Sequence, residues 1–431
     1  MKKYLTVFIL LFSIISSSYS ATLKEALILA YENNPELNAE RESFKASKQD
    51  LNIATGNYLP SITLSGSKSE EDTGKLTNRD GTNASINNSN TETKTVKIEQ
   101  TLIDFGRGAD YKKNKLGLDL AKIKLIKKEQ EIFYKAIEAY TGLLAASEKL
   151  SINRENIDLL ERQVETDAIR LDKGEISLSD FAQSESSLAG AQAKFIEATN
   201  EVTTTKLNYE NIIGSINDIN GLKKSFDSIA QIPATLDLAT QLSEKKNPDL
   251  NIAKIELEQS KKDVQIAQSD LAPSANLTFE RTYDDDLSAT YDEREKDVMK
   301  ATVSWPFFSG GKNIASVKKN KNLRARKELL LSNQIKTNQT NVASAWSNFQ
   351  SSKGLLNSVQ LQVKAAEIAS EGVKAEYERG SGRTTLEVIQ SNTLLLDAKI
   401  SLANAERNYL LSQYNLLKSI GLLTNDYLRL K

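Results

Sequence analysis

The five residues Asn34-Pro35-Glu36-Leu37-Asn38 return as Asn247-Pro248-Asp249-Leu250-Asn251, and Leu59-Pro60-Ser61 returns as Ala272-Pro273-Ser274. Both pairs are displaced by 213 positions (248 minus 35, 273 minus 60). A repeat at fixed displacement constrains the fold more than any composition, because whatever one copy builds the other must build again. Each copy then carries a long charged stretch, to Gly174 or to Gly380, and closes on Ile213-Gly214 or Ile420-Gly421. The chain therefore reads as two structural repeats, 22–214 and 234–421, joined by a short linker around Gln231-Ile232-Pro233.

Within each copy the hydrophobic period changes. After Pro60, Ile62 and Leu64 alternate with Thr63 and Ser65, and after a polar loop Val96, Ile98 and Leu102 alternate with Thr95, Lys97 and Glu99. Period two marks strands with one apolar and one polar face. The second copy repeats it with Leu277 and Phe279, then with Met299, Ala301, Val303 and Trp305. One hairpin per copy follows, about 60–106 and 273–309, with strands of about 8 to 11 residues, the length of a tilted transmembrane strand. From Gly108 to Gly174 no proline interrupts a helical pattern, which would extend roughly 95 Å at 1.5 Å per residue. The stretch from Lys312 to Tyr377 is its twin. With 19 Gly and 6 Pro in 431 residues, breakers are scarce and long elements are expected. In the return helix Leu386, Ile389, Thr393, Leu396, Ile400 and Ala403 are spaced alternately by three and four, a coiled-coil seam.

Fifty-six basic residues against 57 acidic ones offer no general attraction to nucleic acid. Cys and His are both absent, which removes thiolate nucleophiles, disulfides, imidazole bases and nearly all zinc sites. No paired acids sit in a recognisable pocket motif, and neither an enzyme nor a cofactor is expected. Residues 1–20 have the layout of a secretory signal, with Lys2 and Lys3, an apolar run from Tyr4 to Ile15, and Ser18-Tyr19-Ser20 before Ala21. Asp284-Asp285-Asp286 lacks the glycine and terminal acid of an EF-hand and reads as a solvated loop. The basic run from Lys318 to Arg326 reads as a wet helical face near a membrane.

Two hairpins make four strands, and an open four-stranded sheet in lipid would leave backbone edges unpaired at several kcal/mol per group. Two chains would give eight strands and a bore filled by side chains; three would give twelve and begin to leave a lumen. The polar set Thr63, Lys97, Glu99, Asn276, Thr278, Glu280 and Thr302 would face that lumen. At the far end of the rods, Gly380 and Gly382 break the helix and Thr384 with Glu387 restarts it in capping-box spacing; Gly174, Ser179 and Asp180 form a paler counterpart. Capping and the helix dipole account for acids at Asp180 and Glu387. Arg383 opposes the dipole of the helix it precedes, so it should seek a carboxylate, and the sister tip offers Asp180.

In this doubled order of helix, hairpin, long helix, tip and return helix the chain resembles the TolC family of outer-membrane efflux proteins. The likeness is carried by Asn34 to Leu37, Leu59-Pro60, Gln100 to Arg107 with its echo Trp305 to Lys312, and Tyr377 to Gln390, over nearly the whole chain. The resemblance implies a mainly α, α+β fold. In it, tandem-duplicated coiled-coil helices form a periplasmic α-helical barrel, and four strands per chain contribute to a twelve-stranded β-barrel in the lipid of the outer membrane. It implies a homotrimer serving as the exit duct of a tripartite efflux or type I secretion system, fed by an inner-membrane pump, ABC or proton-driven, through a periplasmic membrane-fusion adaptor. That family shuts its helical end with a tyrosine, an arginine and an aspartate linking neighbouring coils, which Tyr377, Arg383 and Asp180 match, with Ser179 in place of a threonine. Glu387 falls at the first acidic position of the narrowest ring, Gln390 is a neutral departure at the second, and Gly382 is an extra residue in the tip. The competing class is a secreted coiled-coil structural protein or periplasmic adaptor. An adaptor would carry one helical hairpin and an inner-membrane anchor, whereas this chain has two hairpins.

Overall fold

The computed structural model describes residues 22–84, 89–216, 218–224, 231–287, 291–380 and 382–430, so the expected signal segment 1–20 lies outside the described residues. The element order runs twice through one succession. The first pass is α1 (Leu23–Asn33), α2 (Pro35–Gly56), β1 (Ser61–Glu71), β2 (Ser89–Ile103), α3 (Arg107–Asp172) and α4 (Leu178–Ile212). The second is α5 (Leu236–Lys246), α6 (Pro248–Ser269), β3 (Ser274–Asp285), β4 (Glu293–Ser304), α7 (Lys312–Glu378) and α8 (Thr385–Ile420), followed by α9 (Asn425–Leu428). The Asn-Pro motif works alike in both passes. Each asparagine ends one helix, the proline takes the first position of the next, where its missing N–H costs nothing, and the Asn side-chain amide donates to a distant helix end. Asn34 reaches the Ile212 carbonyl at 3.1 Å and Asn247 the Ser419 carbonyl at 2.8 Å.

Two compact units cut across this succession, and each takes matching parts of both passes. The unit of 39–125 and 248–337 holds one antiparallel sheet in the order β1-β2-β3-β4. Directly paired residues share a face, so the register fixes which side chains lie together. Ile62, Ile98, Phe279 and Met299 form one cross-sheet row, and Thr63, Lys97 and Glu280 lie in a row on the opposite face. Glu99 with Thr278, and Asn276 with Thr302, extend that polar face, and Lys97 pairs with Glu99 at 2.8 Å. All seven residues read from alternation as polar-facing fall on one side. The apolar side stays uncovered within this chain: Leu64 is 77% and Met299 74% exposed. The strands span 11, 15, 12 and 12 residues; β1 keeps to the length the alternation delimits, and β2 exceeds it most, because it begins at Ser89 and carries an irregularity between Thr101 and Ile103. No described helix is long and apolar enough to cross a membrane.

The other unit, 22–38 with 126–247 and 338–430, contains the main core, in which Leu27, Phe133, Ile137, Tyr140, Tyr209, Tyr414 and Leu417 are fully enclosed. Away from that core it holds two helical pairs, α3 with α4 and α7 with α8. Ile157 and Leu160 pack on Leu188, Ala191 and Phe195 in the first pair. Val359, Val363 and Ala366 pack on Leu395, Ala398, Leu402 and Ala405 in the second.

Candidate functional site

Both helical pairs turn at glycine. At the α3–α4 tip Gly174 has φ of 72°, a left-handed conformation that a side chain would strain, and Glu175 N–H closes back on the Arg170 carbonyl at 2.8 Å. At the α7–α8 tip Gly380 and Gly382 take φ of 73° and 84°. Each return helix then starts with a complete capping box. Ser177 and Asp180 satisfy each other's backbone N–H groups before α4, and Thr384 and Glu387 do so before α8. Hydrogen bonds from Ser177 hold the Asp180 carboxyl below its ordinary value. The Thr384 N–H, helped by Arg383, does the same for Glu387.

Arg383 does seek carboxylates, as its place before a helix start requires, but it finds them on its own hairpin. It pairs with Glu376 at 2.6 Å and with Glu387 at 2.9 Å. Within one protomer Asp180 and Arg383 are therefore not brought together: the cap occupies Asp180, and two nearer acids occupy Arg383. Ser179 and Gln390 lie exposed with no role inside the protomer.

Tyr377 behaves differently. It is buried, and its hydroxyl donates to Asp167 Oδ1 at 2.9 Å and lies 3.0 Å from Thr385 Oγ1. Asp167 has no exposed surface at all. Its oxygens also accept from the Gln163 amide at 2.9 and 3.0 Å and from the Ser184 hydroxyl at 2.5 Å. Among the described residues no Lys or Arg forms an ion pair with it; the Arg170 guanidinium lies over the Tyr377 ring at 4.6 Å from its centroid. Burial raises the Tyr377 phenol above its ordinary value, so it remains a neutral donor. A buried carboxylate that lacks a cation is tolerable only when donors saturate it, and three side chains do so here. They come from α3 (Gln163), α4 (Ser184) and α7 (Tyr377), and Thr385 adds α8. The knot thus ties one helical pair to the other.

The acid the pattern supplies for Tyr377 inside the protomer is Asp167, which the sequence reading passed over. A signal was present. Asn153, Ile157, Leu160, Val164, Asp167 and Leu171 are spaced by four and three, so Asp167 occupies a seam position where a charged residue is out of place. The seam read along α8 also needs correction. Leu386 and Thr393 are exposed, and the stripe packing on α7 runs through Leu395, Ala398, Leu402 and Ala405. Ile389, Thr393 and Leu396 line instead a cleft against Leu160 and Ala191 of the other pair, so α8 carries two contact stripes and the heptad follows the second of them over these residues, with Leu386 outside it.

A duplicated chain with four strands, one uncovered apolar face and long paired helices is a rare combination, and comparison with known proteins places it. The family model described as outer membrane efflux protein matches residues 26–215 and again 239–422. The outer membrane efflux protein BepC of Brucella suis is 26% identical over 419 residues, covering 96% of this chain and 88% of its own length. The outer membrane protein TolC of Escherichia coli is 23% identical over 452 residues, covering 99% and 88%. Among solved structures, the CmeC outer membrane channel of Campylobacter jejuni superposes with a TM-score of 0.79 at 17% identity, covering 93% of this chain and 86% of that one. With both halves of the chain matched by one family and the whole fold shared with its channels, this protein belongs to the outer membrane efflux protein family, whose members form exit ducts in the outer membrane.

Proposed function

We propose that three copies of this chain close a twelve-stranded barrel through the outer membrane and continue it into the periplasm as a helical tunnel whose end is gated by the tips. One observation carries this reading. The sheet has one polar face and, on the other, an apolar band through Ile62, Leu64, Val96, Ile98, Leu277, Phe279, Met299 and Ala301, yet β1 and β4 each have an edge unpaired among the described residues, and such a sheet is stable in lipid only when further copies pair with those edges. Three copies give the smallest closed barrel of these strands with an open bore. An inner-membrane pump, ABC or proton-driven, and a periplasmic adaptor would load the tunnel at its tips, so the cargo is set by the pump and the duct contributes none of the chemistry.

The buried Tyr377–Asp167 link holds each protomer's two helical pairs together, while Arg383 and Asp180 meet across neighbouring protomers by exchanging or sharing their present partners Glu376, Glu387 and Ser177, and Glu387 and Gln390 line the narrowest ring. Purified protein reconstituted in planar bilayers is expected to insert as discrete, ion-conducting steps; bilayers that stay silent at every protein concentration would overturn the duct reading. Exposed ion pairs contribute little. Arg383→Ser and Asp180→Ala are therefore expected to enlarge single-channel conductance less than changes in the buried knot do. A rise from Arg383→Ser that equals or exceeds the knot's would place the main latch between protomers instead.

A further inference from the structure

The tetrapeptide Lys-Lys-Asn-Lys occurs twice, at 112–115 and at 318–321, displaced by 206 positions (318 minus 112). Each copy lies early in a long helix that leaves the sheet: Lys112 is five residues into α3 and Lys318 six into α7, roughly 8 and 9 Å along the axis. The two asparagines adopt the same geometry. Asn114 donates to the Asp110 carbonyl at 2.9 Å and Asn320 to the Ser316 carbonyl at 3.0 Å, each back along its own helix. Neither amide is spent outward, so the lysines are left as the polar groups of that turn. Lys113 turns onto Asp263 of α6 at 2.8 Å. Lys112 and Lys115, and their twins Lys318 and Lys321, are exposed, each pair three apart on one helical face, and none has a carboxylate partner among the described residues.

The surroundings say what faces these lysines. Between strand ends and helix starts stand Phe105, Trp305, Phe307 and Phe308, all exposed, with Phe307 at 83% and Phe308 at 84%. Exposed aromatic rings at the rim of a membrane sheet mark the interfacial layer. Side chains on an α-helix tilt toward its N-terminus, so a lysine on α3 or α7 leans back toward the sheet and recovers about 5 Å, roughly one turn. Around the second copy the charge is one-sided, with seven basic residues and no acid from Lys312 to Lys327 in a chain whose net charge is -1, while the first copy has Asp110 and Asp119 beside its lysines. The opposite end of the second hairpin is acidic, with Asp284, Asp285, Asp286, Asp292 and Glu293.

We infer that the repeated Lys-Lys-Asn-Lys motif is a docking belt for the headgroups of anionic phospholipids in the leaflet that the helices leave. The ligand is a phosphodiester whose charge no ammonium group of its own headgroup offsets, bound through Lys112, Lys115, Lys318 and Lys321, with the aromatic rim holding the acyl chains alongside. The belt rests on the outer-membrane placement of the sheet. It gives the duct a fixed depth in the bilayer and a preference for anionic lipid around its base.

Trp305 reports on this layer, and the chain has only one other tryptophan, Trp346. In a Trp346→Phe background, reconstituted in phosphatidylethanolamine vesicles, Trp305 fluorescence is expected to be quenched more strongly by brominated phosphatidylglycerol than by brominated phosphatidylcholine. The relative association should be about fivefold, the factor for about 1 kcal/mol of attraction per lysine near the surface. The preference should fall with rising salt, survive Lys→Arg at the four positions, and vanish in K112Q/K115Q/K318Q/K321Q. Equal quenching by the two lipids in the parent protein, or a preference that survives the four Gln substitutions, would overturn the belt. So would an altered ion selectivity of the Gln variant without any lipid preference in the parent, since that places the lysines on the water-filled wall. Channel formation by the Gln variant is expected to be unchanged, so its lipid readout fails or succeeds separately from the duct reading, which silent bilayers of the parent protein would refute.

Discussion

Tyr377→Phe is expected to raise the single-channel conductance of the reconstituted protein, and Asp167→Asn to raise it by a similar amount. Of the three side chains that donate to Asp167, Gln163 is on the same helix and Ser184 on the partner helix of the same pair, so neither resists separation of α3–α4 from α7–α8. Of these three donors, the Tyr377 hydroxyl is the one that reaches Asp167 from the other pair. A hydrogen bond to a charged group contributes about 1.5–3 kcal/mol, which corresponds to roughly a 10- to 150-fold shift of a closed-to-open equilibrium in each protomer. Phe removes that bond and leaves Asp167 with its other two donors. Asn keeps the shape but replaces one accepting oxygen with an amide that must face another donor. Because both substitutions cut one link, the double variant should conduct no more than the stronger single one. A double variant whose effects add would show that Tyr377 and Asp167 act through separate contacts. Conductance unchanged in all three would mean that the apolar seam at Val363, Ala366 and Ala398 holds the pairs together.

How far the sequence displays this arrangement depends on the range of the interactions. Strand faces were readable because period two fixes them locally, and the pairing of Thr63, Lys97 and Glu280 in one row follows from alternation once the hairpins form. Capping boxes at Ser177–Asp180 and Thr384–Glu387 were readable for the same reason, since three residues hold the whole interaction. Asp167 was hidden because, in a chain of which 26% of the residues are charged, one more acid looks like a wet face. Only its phase against Ile157 and Leu160 marks it as internal. The partners of Arg383 inside the protomer were hidden for a different reason. The dipole argument requires a carboxylate but does not choose among several, and Glu387, one turn further along the same helix, competes at far lower entropic cost than an acid on another element. The compact units were hidden as well: α3 and α7 each run through both, so the units group like parts of the two passes and the sequence repeat does not delimit them.

Gly421→Ala is expected to abolish or nearly abolish the folded protein, whereas Gly214→Ala, at the matching point of the first pass, should be tolerated. Both glycines take left-handed φ, 91° and 126°, so an alanine at either costs about 1–2 kcal/mol in backbone strain. Their surroundings differ. At Gly214 a methyl group would meet nothing within 4 Å. At Gly421 it would run into the Lys246 carbonyl, with the carbonyl carbon at 2.6 Å and the Asn247 Cα at 2.8 Å, all of them backbone atoms that cannot rotate away. Retreat is blocked on the other side too. Gly421 N–H is bonded to the Leu417 and Lys418 carbonyls, Leu422 N–H closes on Leu417 at 2.8 Å, and Asn247 is tied to Ser419. Either this cap or the Lys246–Asn247 joint must therefore open, which puts the expected cost at about 4 kcal/mol or more, the upper end for a single substitution. The quantity to compare is the amount of each variant recovered folded from outer membranes, together with its thermal midpoint in detergent. Equal loss at the two positions would mean that left-handed strain alone sets the cost and that the close approach of α8 to the α5 joint is not rigid.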